Sequence, residues 1–227
     1  MAKENKVEQS LEDEALGQLN KLEAFVQKNS QLVYGIAAVI VLGAAAYFFY
    51  KDKAETDELD AQKEIFTAQY FYAMDSVDIV LNGDGNSVTG VEEIAEDYSS
   101  TQAGNLAKFY SGVLYLKKGE FELAIDYLKE FSSSDLLIQA RSYSLIADAY
   151  MELAEYEEAI SYYEKASDYH PNEAFTPKYL IKLAIAYEKE GDPKSAFETY
   201  NKILSEFPKS AEANNAKKYS ALLATSI

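Results

Sequence analysis

Cysteine is absent from the 227-residue chain, which excludes disulfides, thiolate metal sites, cysteine nucleophiles and a lipid-modified N-terminal cysteine. Tryptophan is absent too, and the single histidine, His170, leaves little material for a histidine relay or a histidine-rich metal site. Basic residues are few beside acidic ones, 21 against 38, and the net charge of −17 has the wrong sign for holding phosphates. Nucleic acid is therefore not an expected partner. No glycine-rich phosphate loop, serine nucleophile elbow or zinc signature occurs. His170 lies in the turn-like Tyr169-His170-Pro171-Asn172 with no acidic partner in a catalytic pattern, so it reads as a turn residue. These absences predict a chain that is not an enzyme and takes no cofactor.

What the chain does have is one long apolar run. Leu32 to Tyr50 carries no charge over nineteen residues, and at ~1.5 Å per residue a helix of that length matches the hydrocarbon core of a bilayer. Tyr47, Phe48, Phe49 and Tyr50 close it with rings suited to a membrane interface. A cleavable signal would follow a short cationic segment. Here thirty residues precede the run and include Glu4, Glu8, Glu12, Asp13, Glu14 and Glu23, so an uncleaved transmembrane anchor is the expectation. Lys21 and Lys28 before the run and Lys51, Lys53 and Lys63 after it give no usable asymmetry for orientation. Between Val7 and Val26, apolar residues at 7, 11, 15, 19, 22 and 26 fit one helical face. That face is open to the membrane surface, to self-association or to a partner, with a solvated helix as the plain alternative. Gly35 and Gly43 offer small surfaces within the span, but no GxxxG is present.

The loop Leu81 to Ser87 places Asn82, Asp84 and Asn86 at alternate positions, with Glu93 eleven residues after Asn82. That spacing resembles a calcium loop of the EF-hand kind, although Ser87 stands where glycine is required. An ordinary Gly/Asn turn explains the same residues. The acidic runs Glu92-Glu93 and Glu155 to Glu158 suit helix beginnings, where carboxylates complement the macrodipole.

Beyond residue 100 the chain repeats itself with a period of 35 to 37 residues. The first copy holds Gly112, Tyr115, Gly119, Phe121 and Ala124. The second holds Ala147, Tyr150, Ala154, Tyr156, Ala159, Tyr163, Ala166 and Pro171, and the third holds Ala184, Tyr187, Gly191, Ala196, Tyr200 and Pro208. In each, a small residue is followed by tyrosine after three positions and alanine after twelve, as two closely crossing antiparallel helices require. This pattern resembles the tetratricopeptide repeat, most fully in the second copy. The first copy departs from it by lacking the closing proline and by having Leu128 at an aromatic position, the third by having Pro193 where tyrosine is frequent.

The expected fold is an all-α tetratricopeptide-repeat solenoid with one N-terminal transmembrane helix, stacked because no helix pair buries its apolar face alone. The expected organisation is a polar segment with an amphipathic helix at 1–30, the span at 31–50, a linker helix and degenerate helix pair at 51–100, three repeats at 101–210 and a capping helix at 211–227. Within it, the degenerate pair is expected at Asp57 to Leu81 and Val91 to Tyr98. The cap is expected at Ala211 to Ala224, with Asn214, Asn215, Lys217 and Lys218 facing outward.

The resemblance implies that the first helix of each repeat lines a concave binding groove. By position the lining is Leu106, Phe109, Val113 and Leu116, then Arg141, Ser144, Asp148 and Met151, then Lys178, Ile181, Ile185 and Glu188. A second reading stays open for Leu106, Phe109 and Val113, that they pack on the Asp57 to Leu81 helix. The family's carboxylate clamp is not recognisable, since Phe109 and Tyr110 occupy its first Lys–Asn site. An extended or helical segment with apolar anchors suits such a groove.

The layout of anchor plus repeats is similar to the bacterial ancillary Sec-translocon subunit family. That resemblance implies a single-pass inner-membrane protein with a cytoplasmic N-terminus and a periplasmic repeat domain. The partners it implies are translocon subunits or periplasmic chaperones, with weak homo-oligomerisation as a further expectation. An envelope-organising scaffold and a cytosol-facing import receptor are alternatives that use the same surface.

Overall fold

The computed structural model describes residues 16–74 and 76–225. The apolar positions 7, 11 and 15 and the acidic residues up to Glu14 lie outside them. The chain divides into two units, residues 1–55 and 56–227.

In the first unit, residues 16–28 form helix α1 and Ser30–Ala73 begins as helix α2. The backbone ladder survives the joint, because the Asn29 N–H donates to the Phe25 carbonyl and the Val33 N–H to the Asn29 carbonyl, both at 3.0 Å. Among the described residues α2 is the one helix long and apolar enough to cross a membrane, by length and composition. None of its most apolar stretch is buried against protein. The separate linker helix expected after residue 50 does not exist as such: α2 runs on without interruption through Lys51 and Asp57. The physical reason lies in Lys51-Asp52-Lys53-Ala54-Glu55-Thr56, which contains neither glycine nor proline to stop a helix.

The second unit is helical throughout its described length. After the end of α2 come α3 (Val77–Asn82), α4 (Val91–Asp97), α5 (Gln102–Lys118), α6 (Phe121–Glu130), α7 (Leu136–Glu152), α8 (Tyr156–Asp168), α9 (Thr176–Glu190), α10 (Pro193–Glu206) and α11 (Ala213–Leu223). The single helix expected over Asp57 to Leu81 is corrected here to two. The chain turns after Ala73, with the Met74 and Ser76 N–H groups both donating to the Phe71 carbonyl, and restarts as α3.

Three helices start on a side-chain cap. Thr101 caps α5 by accepting from the Gly104 N–H at 2.9 Å, and Asp135 caps α7 by accepting from the N–H groups of Leu137 and Ile138. Pro193 sits in the first turn of α10, where it costs no hydrogen bond, and Asp192 accepts from the Ser195 N–H. The turns inside the three pairs are the same turn. Gly119, Ala154 and Gly191 have φ of 77°, 59° and 88°, and in each the next N–H donates back to Tyr115, Tyr150 or Tyr187 at 2.9 Å. The middle repeat makes this left-handed turn without glycine.

The helix crossings use the small residues of the repeat. Ala124, Ala147, Ala159, Ala184 and Ala196 are fully buried, and Tyr115 and Tyr150 are buried beside them. In the first pair the approach is tighter still, since a Cβ on Gly112 would stand 2.4 Å from the Leu128 side chain. Tyrosine hydroxyls tie the elements together through carboxylates. Tyr115 and Tyr127 both donate to Glu92, Tyr163 donates to Asp148 at 2.5 Å, Tyr187 to Glu164 at 2.8 Å and Tyr200 to Glu188 at 2.6 Å. On α11, Ala213 and Ala216 are buried, while Asn214, Asn215, Lys217 and Lys218 face water.

Candidate functional site: a concave face on α7 and α9

The second unit contains a string of adjoining hollows along the first helices of the repeats. A hollow of about 460 Å³ lies between α7 and α9, walled by Leu137, Ile138, Leu145, Phe175 and Tyr179. A second, about 350 Å³, adjoins it through Asp148 and Lys182 and extends to Met151 and Ile185. On the other side, Ile138 also lines a third of about 470 Å³, with Glu58, Gln62 and Ile65 of α2 and the Ser132-Ser133-Ser134 loop.

The groove positions of α7 and α9 and those of α5 have different fates. Arg141 and Lys178 are exposed, Asp148 and Met151 are half-buried, and Ile185 keeps 39% of its surface in water. Ser144 is buried on the floor, Ile181 is half-buried against the core, and Glu188 is engaged by Tyr200. On α5, however, Phe109 and Val113 are only 9% exposed and belong to the core. Phe109 packs against Phe131 with ring centroids 5.2 Å apart. Leu116 and Leu106 are half-buried around the same cluster, and Leu106 borders the third hollow. Placing Phe109 and Val113 on a free groove surface is therefore corrected to a packing role.

Phe109 and Val113 are packed with Ile125, Leu128 and Phe131, while the end of α2 packs on a different stripe of α5, with Ala61, Ile65 and Ala68 beside Ala103, Ala107 and Leu114. Gln69 donates to the Tyr110 hydroxyl at 3.2 Å, and Tyr72 stacks edge-on against Tyr110 at 5.6 Å. Glu58 accepts from the Gln102 and Ala103 N–H groups, which anchors α2 to the start of α5. Repeat one thus has a neighbour on its stacking side.

The charge of the α7–α9 hollow opposes that of the molecule. Its lining holds three cations, Arg141, Lys178 and Lys182, against the single anion Asp148. Arg141 is the only arginine in the chain. Asp148 is already engaged: the Lys182 ammonium lies 2.7 and 2.8 Å from its two oxygens, and the Tyr163 hydroxyl donates to it as well. Burial, and then that carboxylate, push the Tyr163 phenol far above its ordinary pKa. Burial raises Tyr179 also, against the opposing pull of the Arg141 charge. Among the described residues, no carboxylate lies within ion-pair distance of Arg141 or Lys178. The hollow therefore presents two uncompensated cations above apolar walls.

Leu137, Leu145, Phe175, Tyr179 and Lys182 escaped the sequence reading. A helical signal for two of them was present, because Leu137 precedes Arg141 by four residues and Lys182 follows Lys178 by four, on the same faces.

The calcium-like loop is used differently. Asp84 accepts from the N–H groups of Asn86, Ser87 and Val88 at 2.7 to 2.9 Å and from the Ser87 hydroxyl. Those bonds hold its carboxyl well below the usual range. Among the described residues no group of three or more His, Cys, Asp or Glu could hold a metal ion.

Comparison with known proteins agrees with the helix-pair pattern. A tetratricopeptide repeat family model matches residues 138–205, which run from α7 into α10. That stretch is similar to the tetratricopeptide repeat, and the described helices of the second unit form a TPR-like solenoid. A TPR repeat-containing protein of Methanocaldococcus jannaschii is 27% identical over 120 residues, 53% of this chain. The chain spans 20% of that relative's length. Among solved structures, a putative kinesin light chain with nearly identical TPR-like repeats from Podosopora anserina overlays with a TM-score of 0.48 at 15% identity. The overlay covers 76% of this chain and 86% of that one. The crystal structure of MamA overlays with a TM-score of 0.42 at 21% identity, over 73% of this chain and 92% of that one.

Proposed function

We propose that this chain is a membrane-anchored adaptor that docks protein segments on the α7–α9 face while they are handled at a bacterial inner membrane. Tetratricopeptide repeats are protein-interaction scaffolds, and the observation that carries the finer reading is the α7–α9 hollow. Its apolar walls accept a side-chain anchor, and Arg141 and Lys178 fit a carboxylate next to that anchor. The surrounding surface is acidic and favours basic or neutral clients, so the hollow adds local selectivity to a molecule that otherwise repels anions. The reading assigns the chain no catalytic step and no cofactor.

The apolar stretch of α2 supports the anchor, because an unburied run of this kind has no stable place in water. Confinement to a membrane surface raises the local concentration of a docking face without demanding tight intrinsic affinity. In this reading the N-terminus is cytoplasmic and the solenoid periplasmic, beside the translocon and its chaperones. Two measurements on the full chain test it. Membranes washed in alkaline carbonate should retain the protein, and release into the wash would remove the anchor. Protease added outside spheroplasts should digest the solenoid. Protection there, with digestion only after lysis, would turn the domain to the cytosol and favour the import-receptor alternative.

A further inference from the structure

We infer that the α7–α9 hollow, taken as the docking face proposed above, selects an extended internal segment with one acidic side chain and an apolar residue two positions to either side of it. An acidic run and a chain terminus are the ligands it disfavours.

The two free cations stand at one level. Arg141 and Lys178 are 37 residues apart, as are Ala147 and Ala184, so they hold the same position in successive repeats. Both line the hollow, one from α7 and one from α9. A carboxylate between them meets the planar fork of the arginine and the point charge of the lysine together. The equivalent pair one tier before them is Ile138 and Phe175, and the Lys178 ammonium lies 5.4 Å from the Phe175 ring centre. Leu145 follows one tier after Arg141, on the same face of α7. These tiers are about 5 Å apart, one helical turn. Same-side chains of an extended segment are about 6.7 Å apart. An acidic side chain held by the cations therefore brings its neighbours two positions away onto Ile138 and Phe175 at one end and Leu145 at the other. The pattern is the same in either chain direction.

The hollow has room for one anion. Lys182 is held by both Asp148 oxygens at 2.7 and 2.8 Å, and Tyr163 donates to the same carboxylate. The adjoining hollow beyond that bridge sets Asp148 and Glu152 against Lys182 alone. A second client carboxylate there meets like charge. The segment is internal because the cationic tier closes neither end of the groove. At Ile138 the hollow passes into the one lined by Ser132-Ser133-Ser134, and at Asp148 and Lys182 into the one that reaches Met151 and Ile185. A chain enters on one side and leaves on the other.

The probes are nine-residue peptides, acetylated and amidated so that no terminal charge remains. They carry leucine at positions three and seven, glutamate, glutamine or lysine at position five, and serine elsewhere. Binding to the full chain in detergent is read by fluorescence anisotropy. The glutamate peptide should bind about tenfold more tightly than the glutamine peptide, the lysine peptide should bind least, and added salt should narrow the differences. A second glutamate at position seven should weaken binding. Asp148→Asn, which releases Lys182, should recover most of that loss. Arg141→Glu with Lys178→Glu should reverse the ranking in favour of lysine, at an unchanged thermal midpoint. Equal binding of the glutamate and glutamine peptides overturns the inference and leaves the docking reading standing. So does tighter binding of a peptide with glutamate at all three positions, or of the glutamine peptide ending in a free carboxylate at position seven. An unchanged ranking in the folded charge-reversed variant has the same consequence. Binding of none of the peptides overturns both.

Discussion

The first and second repeats share one pattern of small and aromatic residues and use it to opposite ends. On α5 the inward-facing positions carry Phe109 and Val113, which are packed away. On α7 the matching stretch carries Arg141, Ser144 and Asp148, of which the small Ser144 is buried while Arg141 and Asp148 line an open hollow. The difference lies in the side chains, large and apolar on α5 and small or charged on α7, and in what packs around them. The end of α2 closes on α5 through Glu58, Gln69 and Tyr72, while α7 and α9 leave a gap between them. A repeat thus supplies a scaffold, and the side chains together with their neighbours decide whether a given position is core or surface.

The largest expected effect breaks what the two repeats have in common. Ala147→Arg places a long cation at a crossing that is fully buried, and the second unit should lose its cooperative helical melting transition. An unchanged midpoint would mean that the repeat register is wrong. The next effect separates the repeats. Phe109→Ala should cost about 3–5 kcal/mol as a core truncation, whereas Leu137→Ala, half exposed in the hollow, should cost under about 0.5 kcal/mol. Denaturant titration of both variants reads this directly, and equal costs would erase the contrast between α5 and α7.

A smaller effect concerns the turns. Ala154 adopts the left-handed conformation that glycine supplies at 119 and 191. Ala154→Gly should therefore stabilise the second repeat by about 0.5–1 kcal/mol, seen as a higher urea midpoint.

The mildest effect is on pH. The tyrosines bound to carboxylates have raised folded-state pKa values, Tyr187 to about 12, by burial first and then by the Glu164 bond. The unfolded chain releases these protons near 10 and the folded chain holds them longer. Stability should therefore be level up to pH ~10 and fall above it. Replacing Tyr187 by Phe should make that fall shallower.

Much of this architecture is written in the sequence. Glycine, proline and aspartate mark the ends of α5, α9 and α10 because those residues satisfy or terminate a helix locally. Ala147 and Ala159 announce their crossing because nothing larger fits. The burial of Phe109 is not legible in the same way. Its position in the repeat is that of a groove residue, and packing against Phe131 and the core around Ile125 and Leu128 decides its environment. The fusion of the apolar run with the segment up to Ala73 also escaped, since no residue there signals either a stop or a continuation. Lys182 was missed for a third reason: it stands beside Ile181, one position off the set that the repeat pattern singles out, and still lines the hollow.

Site-specific photocrosslinking tests the central claim most directly. A photoreactive residue replaces Ile185 in the groove, or Glu157 on the exposed side of α8, and each full-length protein is illuminated in its native membrane. Position 185 should give discrete protein adducts that disappear when Arg141→Glu is added with no change in the thermal midpoint, and position 157 should give none. Identical adducts from both positions, or adducts at 185 indifferent to Arg141→Glu, would contradict the assignment of the α7–α9 face as the docking site.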